Sequence, residues 1–123
     1  MAKSKVSELS EQIVVARELR RLRLRFTATM GGLHTSTKQA RMAKASGLER
    51  GVPDILIFQP PEGAQFVGVA LEMKRTGGRP SDLRKEQKEW LRALEALGWV
   101  SLVGYGAQDA LSKLCALGYD VRL

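Results

Sequence analysis

Residues 51–74 read GVPDILIFQPPEGAQFVGVALEMK, and the alternation of turn residues with apolar runs in this stretch decides the fold. Ile55, Leu56, Ile57 and Phe58 form a continuous apolar run, the pattern of a strand covered on both faces. Gln59 to Gln65, with two prolines and a glycine, breaks that strand and turns the chain back. Phe66 to Lys74 is the returning strand, so the pair is a hairpin. Strand side chains alternate between faces, which puts Phe66, Gly68, Ala70, Glu72 and Lys74 on one side and Val67, Val69, Leu71 and Met73 on the other. Glu72 and Lys74 therefore point the same way from the end of an apolar strand, where they are costly to desolvate unless paired or bound to a metal. Asp54 opens the neighbouring strand within reach of Glu72. Two such carboxylates repel unless a divalent cation or a proton lies between them.

Outward from the hairpin, Thr76 to Pro80 is a break, and Ser81 is expected to cap a helix running to about Leu97 with Trp90, Leu91, Leu94 and Leu97 on its apolar face. Gly98 ends it, Trp99 to Val103 reads as a strand, and Ala107 to Leu117 as a last helix stopped by Gly118. Upstream, a helix is expected to open near Ser7 or Ser10, burying Leu9, Ile13, Ala16 and Leu19. Leu24 to Thr29 reads as a short strand ending at Met30, Gly31 and Gly32, and Thr37 to Ser46 as a short helix. The order is αβ(α)ββαβα, an α/β (α+β) fold with a mixed central sheet flanked by helices.

A chain of 123 residues is expected to form one domain, 1–123. Its single cysteine, Cys115, excludes an intrachain disulfide and a cysteine-based zinc cluster. Both Cys115 and Trp90 read as core residues. Apolar stretches such as Val67 to Leu71 are far short of the roughly 20 residues that cross a bilayer, and the start carries no apolar signal core. The expectation is a cytoplasmic protein with no membrane partner.

Charge points to the partner. Residues 1–53 hold 11 basic and 4 acidic side chains, whereas residues 54–123 hold 9 of each, so the net +7 arises entirely in the first part. That asymmetry suits a polyanion, nucleic acid first among them, because Lys and Arg that neutralise phosphates release counterions. Two groups are candidates for phosphate contact: Arg20, Arg21 and Arg23, and Lys38, Arg41 and Lys44. His34, the one histidine, reads as a surface loop residue without an orienting partner.

Asp54, then Glu72-Met73-Lys74 on a hairpin after an N-terminal helix, resembles the PD-(D/E)-x-K nuclease motif, with the Pro53-Asp54 pair present. Gly-Val-Pro-Asp-Ile-Leu-Ile, Val-Ala-Leu-Glu-Met-Lys, Ser81, Gln87, Trp90-Leu91 and Gly98 before a strand narrow the resemblance to a VRR-NUC domain. The similarity extends over nearly the whole chain. It implies a restriction-endonuclease-like core and a metal-dependent DNA endonuclease, structure-selective for branched DNA such as Holliday junctions and dimeric in habit. In that resemblance Asp54, Glu72 and the Met73 carbonyl hold Mg2+, for which Mn2+ would substitute, and Lys74 stabilises negative charge at the phosphate. A first-helix glutamate also belongs to the set. Glu8 and Glu11 both qualify, and the helical projection favours Glu8, at the margin of the buried stripe. Gln87 resembles a helix glutamine near the metal, or else is a solvated helix residue.

Three other readings stand beside this one: a non-catalytic nucleic-acid-binding module on the same fold, a monomeric flap or nicking nuclease, and an unrelated basic RNA-binding domain. Against the last, only 6% of the chain is aromatic, and readers of single-stranded RNA present stacking aromatics. Symmetric cutting of two strands needs a twofold homodimer. Met30, Leu33, Met42, Leu111 and Leu114 are the expected interface.

Overall fold

The computed structural model describes residues 2–29 and 36–123, with side chains from residue 8. His34, Met30, Leu33 and the glycines at 31 and 32 lie outside the described residues. The elements follow the expected order: α1 (Ala2–Arg21), β1 (Phe26–Ala28), α2 (Thr37–Ala45), β2 (Ile55–Ile57), β3 (Val69–Lys74), a 3-10 turn (Pro80–Asp82), α3 (Lys85–Ala96), β4 (Val100–Tyr105) and α4 (Ala107–Leu117). The strands form one sheet in the order β1-β2-β3-β4. β1 and β3 both run antiparallel to β2, with Ile55 opposite Leu71 and Ile57 opposite Val69. β4 is parallel to β3, a pairing that the α3 crossover makes possible.

The hairpin alternation explains how the sheet is covered. Ile55, Ile57, Val69, Leu71 and Met73 pack with Val15 and Leu19 of α1 and with Ala110, Leu111 and Leu114 of α4. The opposite face carries Ala70, Glu72 and Lys74 beneath α3, where Ser101 Oγ donates to the Leu91 carbonyl at 2.7 Å. Close approach is built into the sheet at Gly104, where a Cβ would lie 2.6 Å from that of Ala110. All six residues of β3 are buried, Glu72 and Lys74 included.

Several local expectations are corrected. Helix α1 begins at Ala2, so Ser7 and Ser10 lie within it. Nothing between Ala2 and Arg21 breaks a helix, and a residue suited to capping does not end one by itself. Its buried stripe runs through Val15 and Leu19, while Leu9 and Ile13 are 44% and 46% exposed. The consecutive Ile13-Val14-Val15 gives several faces an apolar residue, and contact with the sheet selects Val15. Ser81 sits in the 3-10 turn, and α3 opens at Lys85 with the Gln87 Oε1 accepting from the Arg84 N–H at 2.9 Å. Leu97 follows the last turn of α3 and is 70% exposed, leaving Leu91 and Leu94 as its buried residues. Phe58, beyond the end of β2, is exposed and meets the Trp99 ring edge-on. Cys115 is exposed on α4, and Leu111 and Leu114 belong to the core instead of an outer surface.

Candidate active site

The sheet brings Asp54, at the entry to β2, beside the C-terminal end of β3. Asp54 Oδ2 accepts a hydrogen bond from the Met73 N–H at 2.7 Å. Continuing the β2–β3 register past Ile55 and Leu71 sets Pro53 opposite Met73. The hydrogen bonds of β3 to β4 use the alternate residues, as the Gly106 N–H donating to the Lys74 carbonyl shows, so the Met73 peptide groups face β2. Pro53 has no N–H to offer the Met73 carbonyl. The proline of the motif thus leaves one main-chain oxygen without its ladder donor beside two carboxylates.

Glu72 is only 3% exposed. Gln87 Nε2 donates to its Oε2 at 3.1 Å, and the Gln87 amide is oriented for this because its oxygen caps α3. Glu72 Oε1 is buried and no donor group reaches it, while the Asp54 and Glu72 carboxyls lie close enough to share a proton. Lys74 Nζ stands 3.9 Å from Glu72 Oε2, an ion pair too long for a hydrogen bond, and its charge only partly offsets the burial of the carboxyl. Burial, reinforced by the Asp54 charge, pushes the Glu72 carboxyl up to about 9. Burial also raises Asp54, against the opposing effect of the Met73 N–H. Glu8 is raised by burial too, with Lys74 opposing it.

These groups open into a cleft of about 980 Å3, with α3 on one side and α2 and residues 48–52 on the other. Glu8 lines it with Asp54, Glu72, Lys74 and Gln87. Glu11 does not; its Oε2 accepts from the Thr76 hydroxyl. The chain is drawn onto α3 at Gly51, where φ is +86° and a Cβ would lie 2.6 Å from the Glu86 carbonyl carbon.

The two basic groups separate. Lys44 lines the cleft, with Lys38 and Arg41 exposed on the same helix. Arg20, Arg21 and Arg23 lie at the other end of α1 from Glu8, and twelve helical residues at 1.5 Å each put Arg20 about 18 Å away along the axis. Arg21 is engaged with Glu18 at 2.6 Å and with the Asp120 carbonyl, while Arg20 stands over the Phe26 ring. Arg50, in the basic connection after α2, lines the cleft as well; the sequence reading missed Arg84 and the cleft-facing placement of Trp90, which is half-buried there instead of in the core. A signal for Arg84 existed: residues 75–88 hold five basic and two acidic side chains, hidden by the balanced total of the second part.

The arrangement can be tested against a cation. Among the described residues no three acidic, His or Cys side chains close on one point. The Glu72 oxygen that no donor reaches, the carboxyl of Asp54 and the Met73 carbonyl nevertheless form an all-oxygen donor set. That composition fits magnesium, which takes one or two carboxylates and fills the rest of its shell with water and phosphate oxygens. Among the described residues no helix is long and apolar enough to cross a membrane.

The VRR-NUC domain family matches residues 4–108. A solved structure described as a VRR_NUC domain protein superposes with a TM-score of 0.69 at 20% identity, covering 90% of this chain and 87% of that one. No curated protein sequence matches the chain.

Proposed function

The chain belongs to the VRR-NUC domain family of nucleases, and from that membership we propose that it hydrolyses DNA phosphodiester bonds with the help of Mg2+, acting on branched DNA. One observation carries the reading: a buried glutamate oxygen that no donor reaches, beside a second raised carboxylate, at the floor of a cleft. Asp54, Glu72 and the Met73 carbonyl would hold the ion, with Glu8 supporting it from the cleft wall. When bound, the cation would polarise the scissile phosphate and lower the pKa of water at the site.

The residues of this chain do the rest. Lys74, fixed on the strand end with no hydrogen bond to Glu72, stabilises the charge that develops on the phosphate oxygens. Gln87 fixes the Glu72 carboxylate by one oxygen and leaves the other to be shared with Asp54. Lys44, Arg50 and Arg84 hold the backbone of the DNA along the cleft.

Paired cuts at a junction require a homodimer. Leu9, Ile13, Val14 and Met42 are exposed apolar residues that suit a twofold contact. Leu111 and Leu114 are used by the core and do not contribute to that contact; the alternative is a monomer that nicks or trims flaps. The deciding experiment incubates the protein with labelled duplex, flap, splayed and four-way junction DNA, in magnesium and in chelator, and measures its mass by light scattering. Magnesium-dependent junction cutting by a species near twice 13.6 kDa is expected. Cleavage in chelator would refute the metal role, and a monomer cutting only flaps would replace the junction reading.

A further inference from the structure

The cleft is larger than a cation and a phosphate require. About 980 Å3 lies at the upper end of the roughly 300–1,000 Å3 span of small-molecule sites. Part of its lining is apolar: Trp90 and Ala93 of α3, with Ala40, Leu48 and Val52. Trp90 is the one aromatic residue lining the cleft among the described residues. Helical spacing explains its direction. Glu86, Trp90 and Ala93 recur at three to four residues and line the cleft, with Trp90 at the edge of the stripe whose Leu91 and Leu94 are buried against the sheet. The indole borders the face that holds α3 to the sheet and is half-buried, with its open side towards the cleft.

Charge selects what can rest against it. Glu86 and Glu89 belong to the same wall and Glu49 to the cleft lining, so a phosphate beside the indole would be repelled. Lys44, Arg50, Lys74 and Arg84 line the same cleft and offer the phosphates their places. The group that suits an aromatic face among carboxylates, tethered to a phosphate held by cations, is neutral and flat. A nucleobase has that chemistry.

We infer that Trp90 is a stacking platform for an unpaired nucleobase next to the scissile phosphate, which makes single-stranded nucleotides at the cutting point the preferred substrate feature. The inference rests on the nuclease reading and deepens it. Stacking on an aromatic tolerates any base, because every base has a π-face. A base in continuous duplex would first have to leave its stack, so paired DNA gains nothing from the indole.

The test uses two variants of the full chain, Trp90→Leu, which keeps apolar bulk, and Trp90→Phe, which keeps an aromatic face. Leu should weaken binding of splayed-arm DNA about tenfold and raise KM for it with kcat unchanged; Phe should restore most of the loss, and fully paired duplex should bind alike throughout. As a measurement that leaves Trp90 intact, its emission in a Trp99→Phe background should be quenched by splayed DNA and not by duplex. If Leu and Phe both match the wild type, if Leu weakens both DNAs equally, or if quenching fails to distinguish them, the stacking role is wrong while the nuclease reading stands. A wild-type protein that neither binds nor cuts any DNA overturns the nuclease reading itself.

Discussion

Glu72 carries a charge into a position where the fold opposes it. Its carboxyl rises from the ordinary 4.5 to about 9 through burial and the nearby Asp54, so ionisation costs the metal-free folded state stability that the unfolded chain does not lose. The sign follows directly: the cost is absent below about pH 4.5, where both states are protonated, and grows as pH rises towards about 9. Glu72→Gln should therefore raise the melting temperature of chelator-treated protein by about 5 °C at pH 8 and leave it unchanged at pH 4. The same variant should lose magnesium-supported cleavage by about a thousandfold or more. Melting curves against pH, paired with cleavage rates, check this; a variant no more stable than the wild type at pH 8 would show that the carboxylate is not strained there. Lys74→Ala should lower turnover by about a hundredfold while metal affinity holds, measured by calorimetry. Residues of this kind were legible in the sequence because strand alternation assigns faces with a period of two. Trp90 was not, since an aromatic on an amphipathic helix reads as core until the opposite wall of a cleft is in place.

At the scale of elements, the strands were legible and the helix faces were not. The last helix stands where its turn residues put it, spanning Ala107–Leu117 and ending at Gly118, and the hairpin forms as expected except that β3 begins at Val69 instead of Phe66. On α1, three consecutive β-branched residues left the buried side open, and only contact with the sheet chose Val15 over Ile13. The same contact decides which basic cluster reaches the substrate. Reversing Lys38, Arg41 and Lys44 on α2 should weaken DNA binding and reduce the slope of log affinity against log salt by up to about three. Reversing Arg20 and Arg23 should leave the slope unchanged, because Arg20 sits about 18 Å from Glu8 along α1 and Arg23 lies beyond its end. Filter binding at several salt concentrations distinguishes the two, and equal effects would mean that DNA extends over both poles of the molecule.

Across the whole molecule, Glu18 ties α1 to the C-terminal segment. Hydrogen bonds from Arg21 and the Arg122 N–H hold its carboxyl down at about 2. Its folded value is depressed, so this stabilisation is present above about pH 4.5 and fades as pH falls towards 2. Glu18→Gln should therefore shift acid unfolding, followed by circular dichroism, to higher pH and flatten its dependence over that window. The site itself joins two unlike parts of the chain. β3 is buried at every residue, between two neighbouring strands, whereas α2, on the other side of the same cleft, has no buried residue. In hydrogen exchange, the amides of β3 should open only with the whole protein, while those of α2 exchange through local opening. Carboxylates on the slow part keep their geometry through every such opening. The lysines and arginine on the fast part can release and re-grip a strand without disturbing them, so one cleft combines a fixed anvil with a movable jaw.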